Sequence, residues 1–191
     1  MELTDKIREA LVALNFLDVR FEMTFERLNH YTANGFDDAE FMISTNPGEE
    51  LKPLSKVASG GELSRVMLGI KSVLADKDEI ETLIFDEIDT GISGRTAQKV
   101  SEQLALLARD HQIICITHLA QIAAMADSHY IIEKQTDGNK THTVIRELDE
   151  NEMINELSRI LGGVQITDRV RESAKEMKDL AIATKKSNCK K

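Results

Sequence analysis

Apolar positions along this chain repeat with two periods, and the alternation between them lays out an α/β order. Leu3, Ile7, Leu11 and Leu14 recur every three or four residues, with Lys6, Arg8 and Glu9 elsewhere, so the chain opens on an amphipathic helix. From Val19 to Leu28 the period drops to two, with Phe21, Met23 and Phe25 on one face, and Glu40 to Ser44 continues as a second strand. Asn34-Gly35 lies in the loop between them, and Asn46-Pro47-Gly48 breaks the chain afterwards. An amphipathic helix follows from Ser59 to about Ala75. Thr82-Leu83-Ile84-Phe85 is then a short, mostly apolar run, the pattern of a strand buried on both faces of a parallel sheet. A helix from about Gly94 to Arg109 leads into Gln112 to Ile116, a second buried strand. Beyond it come a short helix from Gln121 to Ala126 and strands over Tyr130 to Lys134 and His142 to Leu148, joined by the polar turn Asp137-Gly138-Asn139-Lys140. Two charged helices, separated by Leu161-Gly162-Gly163, close the chain.

The first of the buried strands runs directly into Asp86 and Glu87. That places two carboxylates at the C-terminal edge of a sheet, where open α/β folds bind ligands. Adjacent acids there can divide the work, one holding a hydrated Mg²⁺ and the other taking a proton from water. The second strand ends in Thr117-His118. Two parallel strands joined through a helix place their C-terminal ends side by side, which predicts His118 near the acidic pair.

Ser59-Gly60-Gly61-Glu62 opens the long helix. Ser59 with Glu62 three residues on forms a capping-box pattern, but capping leaves the glycines unexplained. Glycine in a helix is unfavourable by roughly 1 kcal/mol. It is accepted where another group approaches the backbone closely or where bare N–H groups form an anion nest. A serine hydroxyl, two unobstructed amides and a helix N-terminus together suit a phosphate.

Charged residues make up 30% of the 191, and there is no apolar run long enough for a transmembrane helix or signal peptide. Cys115 in mid-strand and Cys189 in the tail suggest reduced thiols in a cytoplasmic setting, and no Cys/His cluster has zinc spacing. A net charge of −9 is the reverse of the basic surplus expected of a stand-alone DNA-binding domain, and so argues against direct DNA contact by this chain. Lys185, Lys186, Lys190 and Lys191 read as a solvated basic terminus.

The ordered set of motifs resembles the C-terminal half of an ABC-type ATPase head. Ser59-Gly60-Gly61-Glu62 is similar to the signature motif, Leu83 to Glu87 to Walker B with its catalytic glutamate, Asp89 to the D-loop aspartate, and His118 to the switch histidine. Four longer strings are more particular: Ile43 to Glu49, Ala58 to Arg65, Ile84 to Gly94 and Thr117 to Ala123. They resemble the RecN family, a bacterial DNA-repair group in the SMC-like branch, from roughly Arg20 to Gly163. Ala58 replaces the leucine of the general signature, and Ala120 stands where proline is expected after His-Leu, but neither change removes a phosphate-contacting group.

The resemblance implies a parallel-sheet core flanked by helices, followed by a β-hairpin and C-terminal helices. It implies ATP and Mg²⁺ as cofactors, and a homodimer in which the signature of one head meets the nucleotide held by the other. Ser59, Gly60, Gly61 and Glu62 would serve a neighbour's nucleotide, Asp86 the metal through water, Glu87 and His118 the hydrolysis, and Asp89 the alignment of heads. The phosphate loop G-x-x-x-x-G-K-[ST] occurs nowhere in the sequence. In the resembled family that loop lies in the N-terminal half of the protein, ahead of a coiled coil. Residues 1–16 then read as the end of the returning coiled-coil helix and 17–191 as the C-terminal lobe of the head, inactive by itself. DNA would be engaged through the full-length protein, near the nucleoid.

Two other readings use the same residues. Asp86, Glu87, Asp89 and His118 could form the ligand set of a metal-dependent phosphoesterase or nuclease, although that chemistry needs no glycine-rich helix start. A catalytically silent interaction module would use the sheet edge and the terminal helices only to dock a partner.

Overall fold

The computed structural model describes residues 3–77, 79–138, 140–163 and 165–188, apart from the side chains of Asp76 and Asn188. Asn139, Cys189, Lys190 and Lys191, named above in a turn, a thiol pair and a basic tail, lie outside them. The chain divides into two compact units, Met1–Ile116 and Thr117–Lys191.

In the first unit, helix α1 (Leu3–Ala13) buries Ile7 and Leu11. The close seat on helix α2 (Gly60–Leu74) is set by Gly69, where any side chain would strike Leu11 Cδ2 at 2.8 Å. Strands β1 (Arg20–Thr32) and β2 (Gly35–Ser44) form a long antiparallel hairpin, and the two-residue β3 (Lys52–Pro53) pairs with its base. Phe21 and Ile43 face each other across that base and are both buried. The outer half of the hairpin lies in solvent, tied by the edge-on pair Tyr31–Phe36 and by Arg27 over the Phe36 ring.

Strand β4 (Thr82–Phe85) pairs in parallel with β5 (Gln112–Cys115) through the crossover helix α3 (Gly94–Leu107). Leu83 and Phe85 point into the core. The other face differs from the expectation of double burial: Ile84 is 68% exposed, Ile114 45% and Ile116 50%. The apolar run is real, but among the described residues of this unit nothing covers its second face.

The second unit begins with helix α4 (Ala120–Met125), followed by the antiparallel hairpin β6 (Tyr130–Asp137) and β7 (Lys140–Glu147). Helices α5 (Glu150–Gly162) and α6 (Asp168–Asn188) then pack together, Val170 resting on Gly162, where a side chain would meet it at 2.9 Å. Asp149 and Glu152 form a complete capping box at the start of α5. Two lysines of α6 close the C-terminus of α4: Lys178 donates to Ala124 O and Ala126 O at 3.1 and 2.6 Å, and Lys185 to Met125 O at 2.9 Å. Cations suit that end of a helix, where carbonyls lack intrahelical partners. His129 is buried beside them, and burial, reinforced by Lys178, pushes its imidazole down to about 4. Among the described residues no helix is long and apolar enough to cross a membrane.

Candidate functional site

Glycines 60 and 61 and the acids after β4 lie against one another. Ser59 caps α2 in extended conformation, its Oγ accepting from Glu62 N at 3.3 Å. That uses one acceptor of the hydroxyl and leaves its proton available to donate. The first-turn amides of Gly60 and Gly61 have no partner within the helix, as at any helix start. Gly60 is exposed and Gly61 buried.

Each glycine has a close neighbour, but only at Gly61 is that neighbour backbone; at Gly60 it is the tip of the exposed Glu87 side chain. A side chain at Gly60 would run into the Glu87 carboxylate. A methyl at Gly61 would meet Thr90 O at 2.8 Å and both Glu87 O and Thr90 Cβ at 2.9 Å. The anion-nest reading explained both glycines by a ligand, but Gly61 has an intramolecular reason too: the loop after β4 occupies the space of its missing side chain. Gly61→Ala is expected to push that loop away and lower the stability of the chain by about 1–3 kcal/mol. Urea unfolding measures this, and an unchanged midpoint would show that the loop can yield.

The loop itself is tightly specified. Asp86 Oδ1 accepts from Glu87 N at 2.9 Å, and Thr90 N donates to Glu87 O at 3.0 Å, closing a turn. Glu87 sits at φ 58°, in the left-handed region that costs a non-glycine residue about 1–2 kcal/mol. Ile88 and Asp89 are buried, Asp89 at 3% exposure, whereas Asp86 and Glu87 are exposed. Held strain of this kind gathers at functional positions. Cys115, paired in register with Phe85, feels the same acids: burial first, then Asp89 and Asp86, push its thiol up to about 12. The thiol therefore stays protonated and unreactive at neutral pH.

Asp86, Glu87, Asp89, Gly60 and Gly61 are thus brought together within the first unit. His118 is exposed in the second unit, between β5 and α4. Among the described residues no group of three or more His, Cys, Asp or Glu is placed to hold a metal ion, the trio Asp86, Glu87 and Asp89 of the first unit included. A single exposed carboxylate such as Asp86 still suits Mg²⁺, which keeps most of its waters and takes one or two carboxylates beside substrate phosphates.

Sequence reasoning missed Ser64 and Arg65. Ser64 Oγ donates to Asp86 O at 2.8 Å, and Arg65 Nη1 donates to Ile88 O and Thr90 O at 3.2 and 2.9 Å. Burial lowers the Arg65 guanidinium from its ordinary value, with Glu62 opposing. The available signal was a charge four residues after Gly61, on the face of α2 that continues to Leu68 and Gly69.

No protein-family model matches the chain. Its sequence is 45% identical over 189 residues to DNA repair protein RecN of Halalkalibacterium halodurans, which covers 97% of this chain and 34% of the relative. RecN of Vibrio cholerae is 42% identical over 92% of the chain, and RecN of Treponema pallidum 53% identical over 68%. The chain spans about one third of the length of the first of these relatives. Among solved structures, the Smc head domain with a coiled coil and joint from Pyrococcus yayanosii aligns over 82% of this chain and 28% of its own, with TM-score 0.56 and 19% identity. The Smc head from Pyrococcus furiosus bound to the C-terminal domain of ScpA aligns over 82% of this chain and 37% of its own, with TM-score 0.52 and 20% identity. The chain is therefore a homologue of part of DNA repair protein RecN, built on the fold of an SMC-type ATPase head.

Proposed function

We propose that this chain supplies the signature and acidic half of a RecN-like ATPase head, and that the complete head hydrolyses ATP at a composite dimer interface during recombinational repair of DNA double-strand breaks. The observation that carries this reading is the packing of the glycine turn of α2 against the Asp86–Thr90 loop, with Gly60 and Ser59 left accessible. The open apolar face of Ile84, Ile114 and Ile116 supports the partner it requires. All-parallel strands are found with both faces covered, so this face fits the missing lobe that carries the phosphate loop.

In this reading residues 1–16 end a returning coiled-coil helix and 17–191 form the C-terminal lobe. Ser59, Gly60 and Gly61 donate to the terminal phosphate of ATP held by a neighbouring head, at the positive end of α2. Glu62, besides receiving the Ser59 cap through its amide, belongs to the same contact turn. Glu87 takes the proton of the attacking water, Asp86 would hold Mg²⁺ through water, Asp89 aligns the two heads, and His118 faces the terminal phosphate. Bound Mg²⁺ supplies neutralisation of charge on the phosphate oxygens. Because that charge dominates the transition state, fixed donors and acids carry the catalysis. DNA is engaged by the full-length protein, consistent with the −9 charge of this part, and the setting is the bacterial cytoplasm.

Steady-state ATPase measurement tests the reading. The chain alone is expected to show no turnover, and addition of a polypeptide carrying the phosphate loop and the other half of the head to restore it. Turnover by the chain alone, or none in the mixture, would contradict it.

A further inference from the structure

Arg65 is 7% exposed, and nothing in the composite-site reading calls for a buried guanidinium there. Its one nitrogen Nη1 satisfies the carbonyls of Ile88 and Thr90, while Ser64 satisfies that of Asp86. One turn earlier, Gly61 brings the α2 backbone against Glu87 O and Thr90 O. Four of the five peptide units from Asp86 to Thr90 are therefore bonded to, or pressed against, α2. The remaining one, Asp89, has its residue buried in the same loop. The guanidinium is backed by the Phe16 ring, 5.8 Å from its centroid, and Glu62 lies close enough to favour its charge.

Glu87 stands in the middle of this loop at φ 58°. A non-glycine residue stays there only when its surroundings over-determine the conformation. We propose that Arg65 is the positioning residue for Glu87: by donating to the carbonyls on its C-terminal side it holds the loop in the turn that aims the Glu87 carboxylate over Gly60. Helix α2 and the acid loop then move as one body. A neighbour's phosphate engaged at Ser59 and Gly60 is thereby held in fixed relation to the carboxylate that acts on the chain's own nucleotide. The catalytic consequence rests on the composite ATPase reading, whereas the positioning itself does not.

Hydrogen exchange on the full chain separates the two. In Arg65→Met the Thr90 amide, which closes the turn onto Glu87 O, is expected to exchange about ten- to a hundredfold faster, because two buried carbonyls lose a charged donor. Amides of β4, β5 and the later turns of α2 are expected to keep wild-type rates. The lysine ammonium of Arg65→Lys keeps a charged donor but ends one bond short of Nη1, so it is expected to restore protection in part, to a level between Arg65→Met and wild type. Ser64→Ala, which removes only the bond to Asp86 O, gives a milder variant where Arg65→Met fails to fold, and is expected to speed Thr90 exchange about threefold. Unchanged Thr90 exchange in Arg65→Met, or in Ser64→Ala if that is the variant that folds, would overturn the proposal. Equal loss of protection across α2, β4 and β5, with no rescue by lysine, would overturn it too.

In the reconstituted ATPase, Arg65→Met is expected to lower kcat about tenfold or more with KM for Mg-ATP nearly unchanged, the signature of an interaction used only in the transition state. A rise in KM at constant kcat would count against the proposal. Absence of turnover in the wild-type mixture would sink the composite-site reading, and the exchange result would then decide on Arg65 alone.

Discussion

Glu87→Gln in the reconstituted head is expected to reduce ATP turnover by about two to four orders of magnitude, the usual contribution of a positioned general base. Glutamine keeps the length and shape of the side chain and can sit beside Gly60 as the carboxylate does. It cannot accept the proton of water. The backbone at φ 58° is held by the Thr90 N–H and by the carbonyl bonds from Ser64 and Arg65, none of which involves the carboxylate. The substitution therefore removes chemistry and leaves the loop in place. Because hydrolysis would separate the heads, the variant is also expected to accumulate as a nucleotide-bound dimer, visible by light scattering after gel filtration. Turnover within about threefold of wild type would remove Glu87 from the role of base, since a lost general base costs far more than that.

How much of this was legible in the residues depends on whether the relevant partner was local. The alternation of Phe21, Met23 and Phe25 announced a strand, but not that β1 runs to Thr32 and β2 starts at Gly35. From Phe25 outward, that ring itself exposed, the hairpin has no buried face, so hydrophobic period carries no information there, and cross-strand pairing alone extends it. The capping box at Asp149 and Glu152, which the reading of the sequence did not single out, formed in full. At Ser59 the bond to Glu62 N is present, as the same pattern predicted. Thr82 to Phe85 was readable as a strand ending in acids, and its parallel partner through a helix was readable too. That Ile84 would face solvent was not, because an apolar run states that a face wants cover without saying which polypeptide supplies it.

The sequence offers candidate residues for the site but not the bonds among them. Asp86 and Glu87 were found from the strand that delivers them, and Gly60 and Gly61 from their cost at a helix start. Their mutual contact was not foreseeable, because a sequence does not show that a loop more than twenty residues later fills the space of a missing side chain. Arg65 illustrates the same gap. A charged residue in an amphipathic helix reads as solvated, and only the carbonyls of Ile88 and Thr90 reveal why this one is buried. The left-handed backbone of Glu87 has no sequence signal at all, since that conformation is expected of glycine, asparagine or aspartate.

The division of labour between heads can be measured by mixing two inactive variants. Ser59→Arg blocks the turn that would meet a neighbour's phosphate but retains Glu87. Glu87→Gln retains the turn but lacks the base. If the turn serves the neighbour's nucleotide while the acids serve their own, a mixed dimer has one site in which both parts are intact. Random pairing in a two-fold symmetric dimer then restores about one quarter of wild-type turnover from two components that are each inactive. If both parts of a site come from one chain, no pairing can rebuild it. ATPase activity of the mixture, each chain complemented with the phosphate-loop half, is the decisive quantity: recovery near one quarter is the predicted result, and a mixture as inactive as its components would contradict the composite site.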